Sequence, residues 1–223
     1  MSIDSGSEPT RPLARLLEHR LSPERLAPYR RAVGGDLERA VELYTWNAEV
    51  AAAFFEVLGH LEVVLRNALH EELSSWHASN RRRGLWFDDP ARLLDERRRA
   101  DIDTARARLL RDGKVETPGK VVAELSFGFW RFLLDRRYQN TLWAQALRHA
   151  FPFLAPQRRQ SVYQPVERLT RLRNRIAHHE PIHHLELGEH HDDVLRLAGF
   201  IDPALEAWLS GVSRVPAMLA VRP

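Results

Sequence analysis

The longest hydrophobic pattern in the chain begins after Gly34-Gly35 and continues to Trp76, with apolar residues at spacings of three and four. This period places them on one face of an α-helix, and Asp36 has the residue type and position of its N-cap. The pattern predicts one long helix, or two nearly collinear helices broken near Trp46-Asn47. The apolar positions, which we interpret as core scaffold, are Leu37, Ala40, Val41, Tyr44, Val50, Phe54, Val57, Leu58, Leu61, Val64, Leu65, Ala68, Leu69, Leu73 and Trp76.

Shorter helical patterns fill the rest of the chain. They predict helices over residues 11–20, 23–31, 90–111, 118–133, 135–150, 156–180, 189–198 and 203–209. Ser22 precedes Pro23 as a predicted N-cap, and Pro165 is expected to kink the helix that contains it. No segment alternates with a period of two for long enough to indicate a sheet. The predicted fold class is therefore all-α, a helical bundle.

The length and composition indicate one soluble unit. The chain has 223 residues without a Gly/Ser-rich or Pro-rich linker, so we predict a disordered tail over residues 1–10 and a single helical domain over residues 11–223. No uninterrupted apolar run approaches the roughly 18 residues of a membrane span. The N-terminal residues lack the apolar segment of a signal peptide, and the chain contains no cysteine. We expect a cytoplasmic protein without a membrane partner.

Basic residues are concentrated in one region. The formal net charge is only +3, but of the 33 basic residues all except Lys114 and Lys120 are arginine. Arginine binds phosphate oxygens through a planar fork of donors, although codon bias in the source genome also produces arginine-rich chains. Within residues 158–175 the only acid is Glu167. The arginines of this region are Arg158, Arg159, Arg168, Arg171, Arg173 and Arg175.

The arginine-rich region runs directly into a cluster of histidines over residues 171–184. Because arginine binds phosphate and histidine exchanges protons near neutral pH, the combination predicts an RNA-cleaving site without metal. Asn174 and His178 share one helix face, whereas Arg173 and His178 point about 140° apart in an ideal helix. Pro181 disfavours helical geometry at Glu180, so we expect the helix to fray over the histidines. A structural helix end, a basic binding face and a zinc site are the alternatives.

Other stretches carry further candidate chemistry. Glu62 and Arg66 are four residues apart in the order that favours a helical ion pair, at the edge of the long apolar stripe. From that edge the pair could point toward the arginine-histidine region. The basic and aromatic residues 81–87 are typical of a loop that stacks bases, or of one that packs its aromatic rings on the core. Gly128 indicates a close helix crossing.

The string Arg173-Asn174-Arg175-Ile176-Ala177-His178 resembles the arginine, polar residue and histidine signature of HEPN ribonucleases. Its continuation through His179-Glu180-Pro181-Ile182 is similar to the abortive-infection (Abi) phage-resistance branch of that superfamily. Two further stretches resemble the same family in the same order. They are Tyr44-Thr45-Trp46-Asn47 leading into Glu62-Val63-Val64-Leu65-Arg66-Asn67-Ala68-Leu69, and Val122-Ala123-Glu124-Leu125-Ser126-Phe127-Gly128-Phe129-Trp130. The resemblance spans residues 36–184.

This resemblance implies roles for particular residues. His178 would be the general acid/base, Arg173 would bind the scissile phosphate, and Asn174 would position one of them. Supporting roles fall to Glu62, Arg66 and Asn67. We also expect the remaining arginines of the region to bind RNA, namely Arg158, Arg159, Arg171 and Arg175.

The resemblance also implies an activity and partners. It implies a HEPN-like bundle with additional helices that cleaves RNA without metal or cofactor, as a homodimer with two motif copies facing one cleft. Such an endoribonuclease would act in antiviral defence by abortive infection, or as a toxin, with an antitoxin or a regulatory RNA as a further partner. Because the motif offers no metal-activated water, the attacking group would be the RNA 2′-hydroxyl. The alternative is a non-catalytic RNA-binding or protein-interaction module on the same fold.

The string His179-Glu180-Pro181-Ile182-His183 also fits the H-E-x-x-H pattern of zinc proteases. That chemistry requires both histidines on successive turns of one helix, and Pro181 disrupts a continuous helix there. We therefore expect no metal at this site. No role is assigned to the other histidines of the region, which are His183, His184, His190 and His191.

Overall fold

The computed structural model describes residues Thr10–Pro223 except Ala91, and these residues form helices and no strand. The predicted all-α fold is confirmed. Most of the predicted tail, residues 1–9, lies outside the described part, and Thr10 already belongs to α1. No described helix combines the length and the apolar composition that a bilayer crossing requires. The α-helices are α1 (Thr10–Leu21), α2 (Pro23–Ala32), α3 (Leu37–Ser79), α4 (Glu96–Arg111), α5 (Pro118–Glu124), α6 (Phe127–Leu133), α7 (Arg159–Ala177), α8 (Leu187–Ile201), α9 (Pro203–Val212) and α10 (Val215–Ala220).

The long helix α3 is the axis of the fold. Its 43 residues run without a break through Trp46-Asn47, which at 1.5 Å per residue gives a length of about 64 Å. The side chains of Leu61, Leu65, Leu69 and Leu73 follow one another along one face and are all fully buried. Against the apolar face pack α1, α2, α6, α7, α8, α9 and α10.

Two helices beside α3, α2 and α7, carry polar side chains of the candidate site. α2 begins as predicted, because the Ser22 hydroxyl accepts a hydrogen bond from the Arg25 backbone N–H at 3.3 Å and caps the helix. α7 begins at Arg159 rather than at Pro156 and keeps Pro165 within the helix. Its buried face repeats every three or four residues and packs on α3, α6 and α8. That face consists of Val162, Val166, Leu169, Leu172 and Ile176.

The predicted start of α4 at Pro90 is wrong. The helix begins at Glu96, because the Asp95 carboxylate accepts a hydrogen bond from the Arg98 backbone N–H at 2.8 Å.

The basic and aromatic loop of residues 81–87 leads into a short 3₁₀ turn over residues 86–88. Its aromatic rings, those of Trp86 and Phe87, are buried. The loop therefore packs on the core, and these rings are not available to stack on bases.

The helix predicted over residues 118–133 is two helices, α5 and α6. The Ser126 hydroxyl accepts a hydrogen bond from the Phe129 backbone N–H at 3.2 Å, so a new N-cap interrupts the pattern. A methyl group on Gly128 would meet only the Ser126 hydroxyl, at 3.6 Å. None of the described helices crosses closely at Gly128, so that expectation is wrong.

The region 135–150 also differs from its prediction. Instead of one α-helix it forms short 3₁₀ turns over Arg136–Tyr138 and Leu147–Ala150, with a π turn over Gln139–Trp143 between them. The apolar positions of the predicted helix are still buried, among them Leu142 and Trp143. The pattern identified which side chains enter the core but not the winding that brings them there. α10 at the C-terminus was not predicted.

Candidate functional site

The helix α7 ends where the histidines begin. Its last helical residue is Ala177, and His179 takes a left-handed backbone conformation with φ of 54°. The backbone N–H of Glu180 reaches back to the carbonyl of Arg175 at 2.8 Å. This is a Schellman arrangement, which usually places glycine where His179 stands. The fraying expected over the histidines is therefore an ordered turn that leaves His178 at the exposed helix end.

A buried asparagine on α3 holds the chain after this turn. Asn47 is 6% exposed, and its side-chain oxygen accepts hydrogen bonds from the backbone N–H groups of Ile182 at 2.8 Å and His183 at 3.0 Å. From α2, the Arg25 guanidinium donates to the carbonyl of His179. Sequence reasoning gave Asn47 no role. The available signal was a buried-stripe position occupied by an amide, which needs hydrogen-bond partners.

Most arginines of α7 form ion pairs with acids, two of which are shared with a second arginine. The pairs, with their N···O distances, are Arg168 with Asp193 at 2.7 Å, Arg171 with Glu167 at 3.0 Å and Arg175 with Glu180 at 3.4 Å. Asp193 is buried and comes from α8, so the local sequence of α7 gives no sign of it. In the C-terminal half of α7, Arg173 is the one arginine without an ion pair or a side-chain hydrogen bond to another described residue.

Two arginines predicted to bind RNA lie elsewhere. Arg159 is 6% exposed, and its guanidinium donates to the Leu134 carbonyl at 2.6 Å and to the Gln139 side-chain oxygen at 2.9 Å. This burial excludes a direct RNA contact, so the expectation for Arg159 is corrected to a structural role. Arg158 is exposed, but it lies about 22 Å along the helix from Arg173. The arginines therefore do not form one continuous basic face.

Replacing Arg159 by alanine is expected to lower the free energy of unfolding by about 1.5–3 kcal/mol, because hydrogen bonds from a buried charged group are lost. Arg158→Ala is the matched control on the adjacent, exposed residue, with an expected change within about 0.5 kcal/mol. Urea unfolding followed by circular dichroism measures both values. Equal effects of the two substitutions would contradict the structural role of Arg159.

Glu62 of α3 faces the unpaired arginine. Its side chain is half-buried, and burial raises the pKa of its carboxyl above the ordinary value. The positive charges of Arg173 and Arg66 and the backbone N–H of Phe127 oppose that rise. Arg173 is thus close enough to Glu62 for its charge to affect the pKa of the carboxyl, although the two side chains do not form an ion pair.

The two other residues of the α3 motif have different surroundings. Arg66 donates to the carbonyl of Ala123 at 3.4 Å, so it connects α3 to the end of α5. Asn67 is exposed and points about 140° away from Glu62 around the helix. The charges of Arg66 and Arg173 thus both act on Glu62, while Asn67 lies on another side of α3.

A cleft of about 550 Å³ opens beside Arg173, between α2, α3 and the end of α7. Its floor is largely apolar and comes from α3 and α7, while polar groups come from α2 and from the turn after α7. The lining residues are Arg25, Tyr29, Tyr44, Asn47, Ala48, Ala51, Ala52, Phe55, Arg173, Ile176, Ala177, His179 and Glu180. Concave sites of this size are typical of ligand binding.

The histidines of the turn do not form a zinc-protease site. Residues 179–183 are not helical, and His179 is exposed whereas His183 is 5% exposed. The His183 ring lies 4.8 Å from that of Tyr29, and burial lowers the pKa of His183. Among residues 10–223 without Ala91, no group of three or more histidine or acidic side chains has a metal-binding arrangement. The helical geometry that the H-E-x-x-H pattern requires is thus missing.

The histidines of α8 have structural contacts. The His191 ring nitrogen Nε2 lies 2.9 Å from the Ser213 hydroxyl, and His190 Nδ1 lies 2.7 Å from the Glu186 carbonyl oxygen. Neither residue lines the cleft.

Comparisons of the chain with protein-family models, with curated proteins and with solved structures found no match. The functional interpretation therefore depends on the residue pattern and on the geometry of Arg173, Glu62, His178 and the cleft.

Proposed function

We propose that this protein is a metal-independent endoribonuclease of the HEPN type, similar to Abi phage-resistance proteins, acting in phage defence or as a toxin. The isolation of Arg173 carries the proposal. A half-buried guanidinium that has no ion pair with a described residue, beside a cleft and five residues before an exposed histidine, is placed to bind an anion from solution.

In the proposed reaction, the ribose 2′-hydroxyl attacks the adjacent phosphorus and the bond to the 5′-oxygen of the next nucleotide breaks. A histidine takes the proton from the 2′-hydroxyl, and a proton is returned to the leaving 5′-oxygen. Arg173 neutralises the negative charge that develops on the non-bridging oxygens. The products would carry a 2′,3′-cyclic phosphate and a 5′-hydroxyl. DNA, which has no 2′-hydroxyl, would not be cut.

The proposed role of Glu62 is electrostatic, because its carboxylate lies near Arg173 without forming an ion pair with it. A carboxylate in direct contact would compete with the phosphate for the same guanidinium donors. Arg66 shares the charge of Glu62, and its bond to α5 at 3.4 Å helps fix α3 against that helix. Asn174, exposed on α7, is proposed to position either the phosphate or the imidazole.

A homodimer is part of the proposal. One chain supplies one His178, whereas the reaction removes one proton and returns another. A two-fold axis beside the end of α7 would bring a second motif to the same phosphate. Val63, next to Glu62, is 42% exposed and would gain burial from such a contact.

The test uses purified protein and mixed cellular RNA, with sequencing of the new ends. We expect cleavage with cyclic phosphate ends, unchanged by a metal chelator, from a protein that light scattering shows to be dimeric at micromolar concentration. Ends carrying a 3′-hydroxyl, or loss of activity with chelator, would contradict the proposed chemistry. A monomer that cleaves at full rate would remove the dimer from it.

A non-catalytic RNA-binding or protein-interaction module on the same fold is the second candidate. One observation favours it, since the His178 ring has no hydrogen-bond partner among the described residues to orient it, as a catalytic base usually has. Binding of RNA without new ends in the same experiment would select this candidate.

A further inference from the structure

The cleft beside Arg173 exists because α3 carries small residues there. Ala48, Ala51 and Ala52 occupy the face of α3 between Tyr44 and Phe55, and all five line the cleft. Along the helix, Tyr44 and Phe55 are about 16 Å apart. Leucine at the alanine positions would fill this space. The remaining volume of about 550 Å³ is large enough for a planar ring system with an attached sugar.

A buried hydroxyl without a partner belongs to this cleft. Tyr29 is 0% exposed, lines the cleft, and its hydroxyl has no hydrogen-bond partner among the described residues. The hydroxyl interacts electrostatically with Arg25 and Tyr44, which line the same cleft, and burial raises the pKa of Tyr29 to about 12. It is therefore a neutral donor at physiological pH. Buried hydroxyls are usually satisfied, so a ligand atom is the partner that this one lacks.

The charges around the apolar floor are positive and available. Arg25 donates to a neutral carbonyl, that of His179, and has no acidic partner among the described residues. Arg173 has none either. Glu180 also lines the cleft, but Arg175 lies 3.4 Å from its carboxylate. The cleft thus combines an aromatic and aliphatic floor, one neutral donor and two uncompensated guanidinium groups.

We propose that this cleft binds the base of one nucleotide of an RNA chain, the nucleotide whose phosphate lies on Arg173. The inference rests on the proposed function and deepens it, because it gives the site a pocket that can discriminate between bases. An aromatic base can stack on the Tyr44 ring and pack against the apolar floor. Its polar edge accepts from the Tyr29 hydroxyl, and the flanking phosphates pair with Arg25 and Arg173.

Other occupants fit these groups less well. A purely apolar ligand would leave the Tyr29 hydroxyl and both guanidinium groups without partners. An apolar side chain from a second copy of the protein would do the same. A free nucleotide has the same chemistry as a nucleotide within RNA. The test below distinguishes the two, because only an RNA chain can show an effect that depends on the position of one base.

The test moves one abasic residue along an oligoribonucleotide that the protein cleaves at a single site. In the wild type, the abasic residue is expected to slow cleavage about 10-fold or more at one position beside the scissile phosphate, the size of effect expected from losing a stacked base. Ala52→Leu narrows the cleft from an exposed position. This variant should cleave intact RNA as slowly as the wild type cleaves the abasic RNA, and the abasic residue should not slow it further. Ala100→Leu, exposed on α4 away from the cleft, should behave like the wild type. Tyr29→Phe, which removes only the hydroxyl, should change which base is preferred.

The outcomes separate this inference from the proposed function. If the abasic residue has no effect at any position while cleavage proceeds, the base pocket is wrong and the ribonuclease stands. If neither the wild type nor any variant cleaves RNA, the proposed ribonuclease activity is wrong. The base pocket is then tested by binding, with affinities for the intact and the abasic oligonucleotides compared in the same way. If Ala52→Leu converts a dimer to a monomer, the cleft holds a second copy, which overturns the inference.

Discussion

His178→Ala is expected to lower the rate of RNA cleavage by about 10²–10⁴-fold, the usual cost of removing a general acid/base. Arg173→Ala is expected to cost a comparable amount, because a preorganised charge partner for the phosphate is lost. Neither side chain supports the fold through hydrogen bonds or ion pairs among the described residues, so both variants should remain folded. Single-turnover cleavage of a defined RNA, together with circular dichroism and a thermal melt, measures the two effects separately.

His184→Ala is the matched control for these variants. It lies in the same turn region and is exposed, and like His178 it is not among the residues that line the cleft, so the two variants differ in which histidine is removed. Its removal should change the rate by less than an order of magnitude. His183 is unsuitable as a control because its buried ring packs on Tyr29, and its loss would disturb the turn itself. A folded, dimeric His178→Ala variant that cleaves at the wild-type rate would contradict the proposed role of His178 as general acid/base.

Asn47→Ala is expected to lower the free energy of unfolding by roughly 2–4 kcal/mol and to impair cleavage at the same time. The substitution leaves the buried backbone N–H groups of Ile182 and His183 without an acceptor, and each such group costs about 1–3 kcal/mol. The turn after α7 would then move relative to α3. Urea unfolding gives the stability, and cleavage at a temperature where the variant is still folded gives the activity.

Thr45→Ala provides the comparison on the same turn of α3. Thr45 is exposed, and its hydroxyl bonds only to the Val41 carbonyl at 3.0 Å. Its loss should change stability by no more than about 0.5 kcal/mol. If folded Asn47→Ala protein cleaves RNA as fast as the wild type, the anchored turn does not position the reacting groups, although it would still stabilise the fold.

The parts of the fold that follow from local signals were predicted from the sequence. α3 is an example, because its apolar period and the Asp36 cap are both visible in a short window of residues. The breaks were missed where a side chain competes with the helix, as the Ser126 hydroxyl does at the start of α6. The irregular turns of residues 135–150 depend on packing against distant elements, which no local pattern records.

The candidate site divides in the same way. Arg173, Asn174 and His178 could be proposed as one site because they are close together in sequence, and their roles stay a prediction. The ion pairs and the burial of the neighbouring arginines could not be predicted. Asp193 contacts Arg168 from α8, and Arg159 is buried against residues of another region. Asn47 was missed because its partners are the backbone of a segment about 135 residues away in the chain.

The ion-paired arginines of α7 have a consequence for how the protein meets RNA in a cell. With Arg168, Arg171 and Arg175 paired to acids, the helix projects a weaker positive field than its sequence suggests. Affinity for arbitrary RNA should therefore depend less on ionic strength than the number of arginines suggests. A ribonuclease built this way would gain little from long-range attraction to the bulk of cellular RNA. Its selectivity would arise after contact, from the groups that bind Arg25 and Arg173 at the cleft.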